Sequence, residues 1–139
     1  MAKRPPRGIR NHNPGNIRRS GIRWKNMAAQ QSDPDFVQFT APVHGIRAMA
    51  KILLTYHRRG FRSLEQIIQR WAPSSENDTA AYVAAIARAV ERPSDKPYSC
   101  VELLEQDALE RLIAAMIRHE NGVQPYDAAL IARAVTLAL

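Results

Sequence analysis

The sequence predicts one compact, mainly α-helical domain, and three observations predict it. Apolar residues recur at spacings of three and four in separate stretches from Val43 onward, the pattern of helices with one buried face. Residues that start and stop helices bound those stretches. With 139 residues, the chain can bury one core and is too short for two ordinary domains.

Residues 1–10 read as a flexible basic leader and 11–139 as the single domain. Up to about residue 35 the chain is rich in Pro, Gly, Asn and Arg without sustained periodicity, as turns are. Asn13-Pro14-Gly15-Asn16 is a strong turn signal, since proline fixes one torsion and glycine accepts a positive one. Phe36, Val37 and Phe39 suit a short strand or a packed extended segment.

The first long helix carries Ile46, Met49, Ala50, Leu53 and Leu54 and stops at Gly60. Ser63 with Gln66 forms a capping box for a second, which buries Leu64, Ile67, Ile68 and Trp71 before Pro73. Asp78 suits the cap of a third, on which Tyr82, Val83, Ile86 and Val90 share a face, and Pro93 and Pro97 mark a connector after it. Asp107 to Glu110 has capping-box form and opens a helix bearing Leu109, Leu112, Ile113, Met116 and Ile117, which Asn121-Gly122 closes. Pro125 suits the first turn of a last helix with Leu130, Ile131, Ala134 and Val135.

Composition narrows the chemistry. Lys and Arg outnumber Asp and Glu by 20 to 13, and eight cations from Lys3 to Lys25 precede the first acid, Asp33. Such a field concentrates polyanions: nucleic acid, anionic membrane surface or bacterial wall polymers. It does not choose among them, and simple colloidal charge explains it as well. The lone Cys100 excludes an internal disulfide and a cysteine-rich metal site. His12, His44, His57 and His119 make no zinc spacing, and phosphate loops and serine-nucleophile elbows are absent, so no metal or other cofactor is expected. No apolar segment follows the basic start or approaches a membrane span, so neither a signal peptide nor an integral membrane segment is expected.

Glu120 is the leading catalytic candidate. Residues 109, 113, 116 and 120 follow one ridge of a helix, so Glu120 continues an apolar stripe. A carboxyl held there, at the negative end of the helix dipole, is in the setting of a proton donor. The plain alternative is a solvated last-turn residue on a stripe that has drifted. His119 points off the ridge and reads first as a surface histidine; Tyr126 suits either sugar stacking or the core. Glu76-Asn77-Asp78-Thr79, between Trp71 and Tyr82, has the mixture of rings, amides and carboxylates that binds carbohydrate. Helix capping explains Asp78 and Thr79 without a ligand, and Trp71 fits the core as readily as a platform.

Read together, several segments resemble a family of small phage and prophage proteins described as virion structural proteins and regarded as lysozyme-like peptidoglycan lytic transglycosylases. They are Arg7 to Arg18 with its Arg-Asn-His-Asn-Pro-Gly-Asn-Ile-Arg core, Phe36 to Phe39, and His44-Gly45-Ile46-Arg47-Ala48. Arg70-Trp71-Ala72-Pro73, Glu76 to Thr79 with Tyr82, and His119-Glu120-Asn121-Gly122 with Pro125-Tyr126 complete the series. Ile117 to Gly122 is also similar to the catalytic helix end of soluble lytic transglycosylases, with Asn121 in place of the usual serine. In those enzymes the glutamate segment comes first; here it lies near the carboxyl end, which implies a circularly rearranged lysozyme-like domain.

The resemblance implies cleavage of the bond between N-acetylmuramic acid and N-acetylglucosamine, with Glu120 as the one general acid and base. It implies Asn16, His44, Glu76, Asn77, Asp78, Thr79, Tyr82, His119, Asn121 and Tyr126 as residues that bind substrate or orient Glu120. The alternatives are a hydrolytic muramidase, with Glu76 or Asp78 as second carboxylate, and a non-enzymatic virion protein that binds wall polymer or nucleic acid. Peptidoglycan strands and other phage virion proteins are the implied partners. The implied location is a virion, or the host cytoplasm with delivery to the periplasm.

Overall fold

The computed structural model describes residues 4–61, 63–75, 77–90 and 105–139. Glu76, Cys100 and the connector marked by Pro93 and Pro97 lie outside them. Among the described residues the architecture is a compact helical domain of α1 (Arg7–Arg10), α2 (Pro42–Arg58), α3 (Leu64–Trp71), α4 (Thr79–Val90), α5 (Gln106–Asn121) and α6 (Ala128–Ala138). None of the described helices is long and apolar enough to cross a membrane.

α5 is the central element. It packs between α4 and α6 and also touches α1 and α2, while α2 lies along α6 and α3 links α2 to α4. That position follows from its sequence: Leu109, Leu112, Ile113, Met116 and Ile117 are all essentially removed from water. They meet Ile46 and Met49 of α2, Ile67 and Ile68 of α3, Ile86 of α4 and Val135 of α6 in one core. Truncating any of the large members to alanine would cost about 2–5 kcal/mol.

The helix boundaries have local causes. Ser63 accepts from the Gln66 backbone N–H while the Gln66 side chain accepts from the Ser63 N–H, which fixes the start of α3. Asp78 accepts from the Ala81 N–H at 3.1 Å and starts α4. Gly122, at φ 74°, ends α5 in the left-handed conformation, and Gly60, at φ 92°, follows α2.

Three boundaries differ from those the sequence suggests. α5 begins at Gln106 without a side-chain cap, and Asp107 instead faces Arg111 one turn on, at 3.5 Å. α6 begins after Asp127, which accepts from the Leu130 N–H at 2.8 Å, so Pro125 belongs to the preceding loop. The basic leader also ends earlier than residue 10. Arg7–Arg10 is a helical turn packed on α5, and the Arg7 guanidinium grips Asp33 through both Nε and Nη2. A bidentate arginine–carboxylate pair is the strong form of this contact.

Residues 11–41 form no extended sheet among the described residues; two antiparallel bridges, Arg18 with Phe36 and Met27 with Phe39, fold the segment on itself. Polar side chains hold it together. Asp33 accepts from Arg7, from the Asn11 amide and from the backbone of Asp35 and Phe36, and the guanidinium above all holds its carboxyl well below the usual carboxylate range. Asn13, fully buried, donates to the carbonyls of Ile17 and Val37 and accepts from the Ile17 N–H, each at 2.9 Å.

Candidate functional site

Glu120 emerges where the central helix ends against the amino-terminal turn. Leu109, Ile113 and Met116 of its ridge are buried, and Glu120 itself is half-buried, so the ridge runs on to the wall of a groove. The groove has a volume of about 380 Å³. Trp71, Tyr56 and Phe36 give it aromatic walls, Arg18 and Arg70 give it positive charge, and Asn16 and Asn77 give it amides. Glu120 is the sole carboxylate among its described lining residues.

The turn that faces Glu120 is built for close approach. Asn16 sits at φ 51°, a left-handed conformation that asparagine tolerates, and its backbone N–H returns to the Asn13 carbonyl at 3.0 Å. This aims the Asn16 amide at Glu120 Oε1, to which it donates at 3.1 Å. Gly15 lets the turn press on the core: a Cβ there would stand 2.7 Å from Met49 Cγ and 2.8 Å from Trp71 Cζ2. Asn121 locks the two parts together, donating from Nδ2 to the Pro14 carbonyl and to the Ile117 carbonyl, both at 2.8 Å.

Tyr82 supports Glu120 from behind. Its side chain is buried, and burial together with the Glu120 charge pushes its phenol far above the usual tyrosine range. The hydroxyl lies beside the carboxylate, close enough to act on it, without completing a hydrogen bond of good geometry. The His119 ring packs on Tyr82 with centroids 3.9 Å apart.

The remaining sequence candidates divide. Asn77 lines the groove, its amide held by the Pro73 carbonyl at 3.3 Å. Asp78 and Thr79 do not line it: Asp78 caps α4, and the buried Thr79 hydroxyl donates to the Ala72 carbonyl at 2.6 Å. Asn121 acts as the clamp just described. Tyr126 packs against the core outside the groove, and burial raises its phenol above the usual range. His44 is also outside, with the Asn26 amide nitrogen 2.8 Å from its Nε2. Burial first, and then Lys25, Arg47 and Arg133, hold its imidazole below the usual value. Among the described residues no three His, Cys, Asp or Glu side chains gather as a metal-binding group.

Sequence reasoning missed Tyr56, Arg70, Phe36 and Arg18 as groove residues. One signal was available for Tyr56, which follows Ile52 by four positions on α2 and so must share its face.

The fold and the groove together define a small helical domain with one half-buried carboxylate, among the described lining residues, set among aromatic rings and cations. No protein-family model matches the chain. The chain is 42% identical over 124 residues to Protein P5 of Pseudoalteromonas phage PM2, an alignment that covers 86% of this chain and 74% of that protein. It therefore belongs to the family of that phage protein.

Proposed function

We propose that this phage-family protein binds a peptidoglycan strand in the Glu120 groove and cleaves it as a lytic transglycosylase. The observation that carries the reading is the half-buried Glu120 carboxylate, held by the Asn16 amide in a groove walled by Trp71, Tyr56 and Phe36. Aromatic faces stack on sugar rings, and amides and guanidinium groups supply directional contacts to hydroxyl and acetamido groups.

In the proposed reaction, protonated Glu120 donates its proton to the oxygen between N-acetylmuramic acid and N-acetylglucosamine as the bond to the anomeric carbon breaks. The resulting carboxylate takes the proton of the muramic acid C6 hydroxyl, whose oxygen bonds to that carbon and closes a 1,6-anhydro ring. No water is consumed, and the enzyme returns to its starting protonation. An attacking hydroxyl within the same sugar has a high effective concentration, so one carboxyl group suffices. A hydrolytic muramidase would normally call on a second carboxylate across the bond. Asp78, capping α4 outside the groove, is poorly placed for that part, and Glu76 lies outside the described residues. A lysozyme-like, circularly rearranged arrangement is the fold reading that accompanies this proposal.

Membership in a phage protein family favours one second reading: a virion component that holds wall polymer or nucleic acid and cuts neither. The deciding experiment compares native protein with Glu120→Gln on purified Gram-negative peptidoglycan, with mass analysis of the released ends. The proposal expects ends lighter by one water than hydrolysed ends, and a loss of about 10²–10⁴-fold in the variant, the range for removing a general acid. Water-added ends would make the protein a muramidase; binding without cleavage by the native protein would make it a structural component.

A further inference from the structure

A second cleft opens from the Glu120 groove and shares Ile17, Arg18, Ile52 and Tyr56 with it. Its volume is about 660 Å³. One wall is a ridge of α2 and its cap, in which Arg47, Lys51, Thr55 and Arg59 recur every four residues. The facing wall is the segment from Arg18 to Lys25, which adds Arg23. No carboxylate occurs among the described lining residues. Between the cationic walls the surface is apolar, with Trp24 and an Ile22 that remains 55% exposed.

We infer that this cleft binds the carboxylate-bearing stem peptides of the glycan strand whose sugars occupy the Glu120 groove. The inference rests on the proposed peptidoglycan reading and deepens it. Continuity through four shared residues means that an extended polymer in one groove enters the other. A neutral sugar chain with anionic branches matches both: its rings meet the aromatic walls, and its branches meet the cations, with aliphatic stem residues over Ile22 and Trp24. A nucleic acid would also be drawn to these cations, and the test separates it from a stem-bearing strand. The Tyr56 phenol stands at the junction of the grooves, and burial pushes it above the usual tyrosine range, so it stays a hydroxyl donor where backbone and branch diverge.

The test uses the full chain with Lys25, Lys51 and Arg59 all changed to Gln, side chains that line the second cleft alone. Glu120→Gln is combined with the same changes for binding measurements. Substrates are peptidoglycan strands with stems intact and strands stripped of stems by an amidase. Weak, partly solvated ion contacts summed over three cations predict roughly a tenfold loss in binding and in kcat/KM on stemmed strands. On stripped strands the change should stay under about twofold, within the spread of surface substitutions. Equal losses on both substrates, or no loss on either, would overturn the inference. Absence of cleavage by the native protein would count against the proposed activity alone, because binding, read by co-sedimentation with the strands, still reports stem dependence. If the triple variant keeps stem-dependent binding but loses salt-sensitive binding to a duplex DNA probe, the cleft is a nucleic-acid site and the inference fails.

Discussion

Replacing Asn13 with alanine should destabilise the protein severely, although Asn13 touches no substrate in any reading above. Its side chain is 0% exposed and makes three hydrogen bonds of 2.9 Å to the backbone of Ile17 and Val37. After truncation the Ile17 carbonyl keeps the Val37 N–H, which donates to it at 3.0 Å. The Ile17 N–H and the Val37 carbonyl lose the Asn13 partner in a place that water does not reach. Each such orphan costs about 1–3 kcal/mol, so the expected loss is about 2–6 kcal/mol. Typical domains have only about 5–15 kcal/mol in total. Urea denaturation followed by circular dichroism measures the change directly, and the thermal midpoint should fall by roughly 7–20 °C. Asn13→Asp provides the control: it keeps the shape but turns two carbonyls toward a carboxylate, so it should be no milder. A loss below 1 kcal/mol for Asn13→Ala would refute the claim that this side chain holds the turn presenting Asn16.

Other substitutions probe separate parts of the site. Gly45→Ala should cost at least about 1–3 kcal/mol, since its Cβ would collide with the backbone carbonyl of His12 and one of the two segments must move; the urea midpoint reads it. Asp33 has a folded value held below its unfolded one, so its contribution is present above the ordinary carboxylate range and is lost as pH falls below about 4. Asp33→Asn should therefore be less stable at neutral pH and decline less steeply on acidification, and parallel decline with the native protein would count against the Arg7 pairing. Tyr82→Phe should keep the fold to within about 1.5 kcal/mol, because the ring and its contact with His119 remain. It should nevertheless change the pH–rate profile of the proposed glycan cleavage, since the hydroxyl beside Glu120 is gone, and an unchanged profile would remove Tyr82 as a positioning residue.

The helices were legible because periodicity and capping are local. Ser63 with Gln66 and Asn121-Gly122 lie within a few residues of the boundaries they set, and the ridge from Leu109 to Glu120 could be counted in the sequence. Glu120, Asn16 and Asn77, singled out in the sequence, line one groove. What was hidden depends on partners far along the chain. Asp33 looked like the first acid after a basic run, yet its role comes from Arg7, 26 residues away. His44 and Thr79 sit in conspicuous segments but serve Asn26 and Ala72. The groove walls combine Phe36, Tyr56 and Trp71 from three segments, and no spacing rule joins them. Pro125 and Asp107 misled for another reason: each suits a helix start, and a neighbouring residue with a better cap or longer helical run displaced the boundary.

The bond from Asn16 to Glu120 spans 104 positions, and that from Asn121 to Pro14 spans 107. During synthesis the first partner of each pair leaves the ribosome long before the second exists. The nascent chain therefore carries the asparagine turn before the Glu120 carboxyl group exists to meet it. Assembly of the pair must await nearly the whole polypeptide, and a fragment cut anywhere between the two cannot hold them in register unless its complement docks.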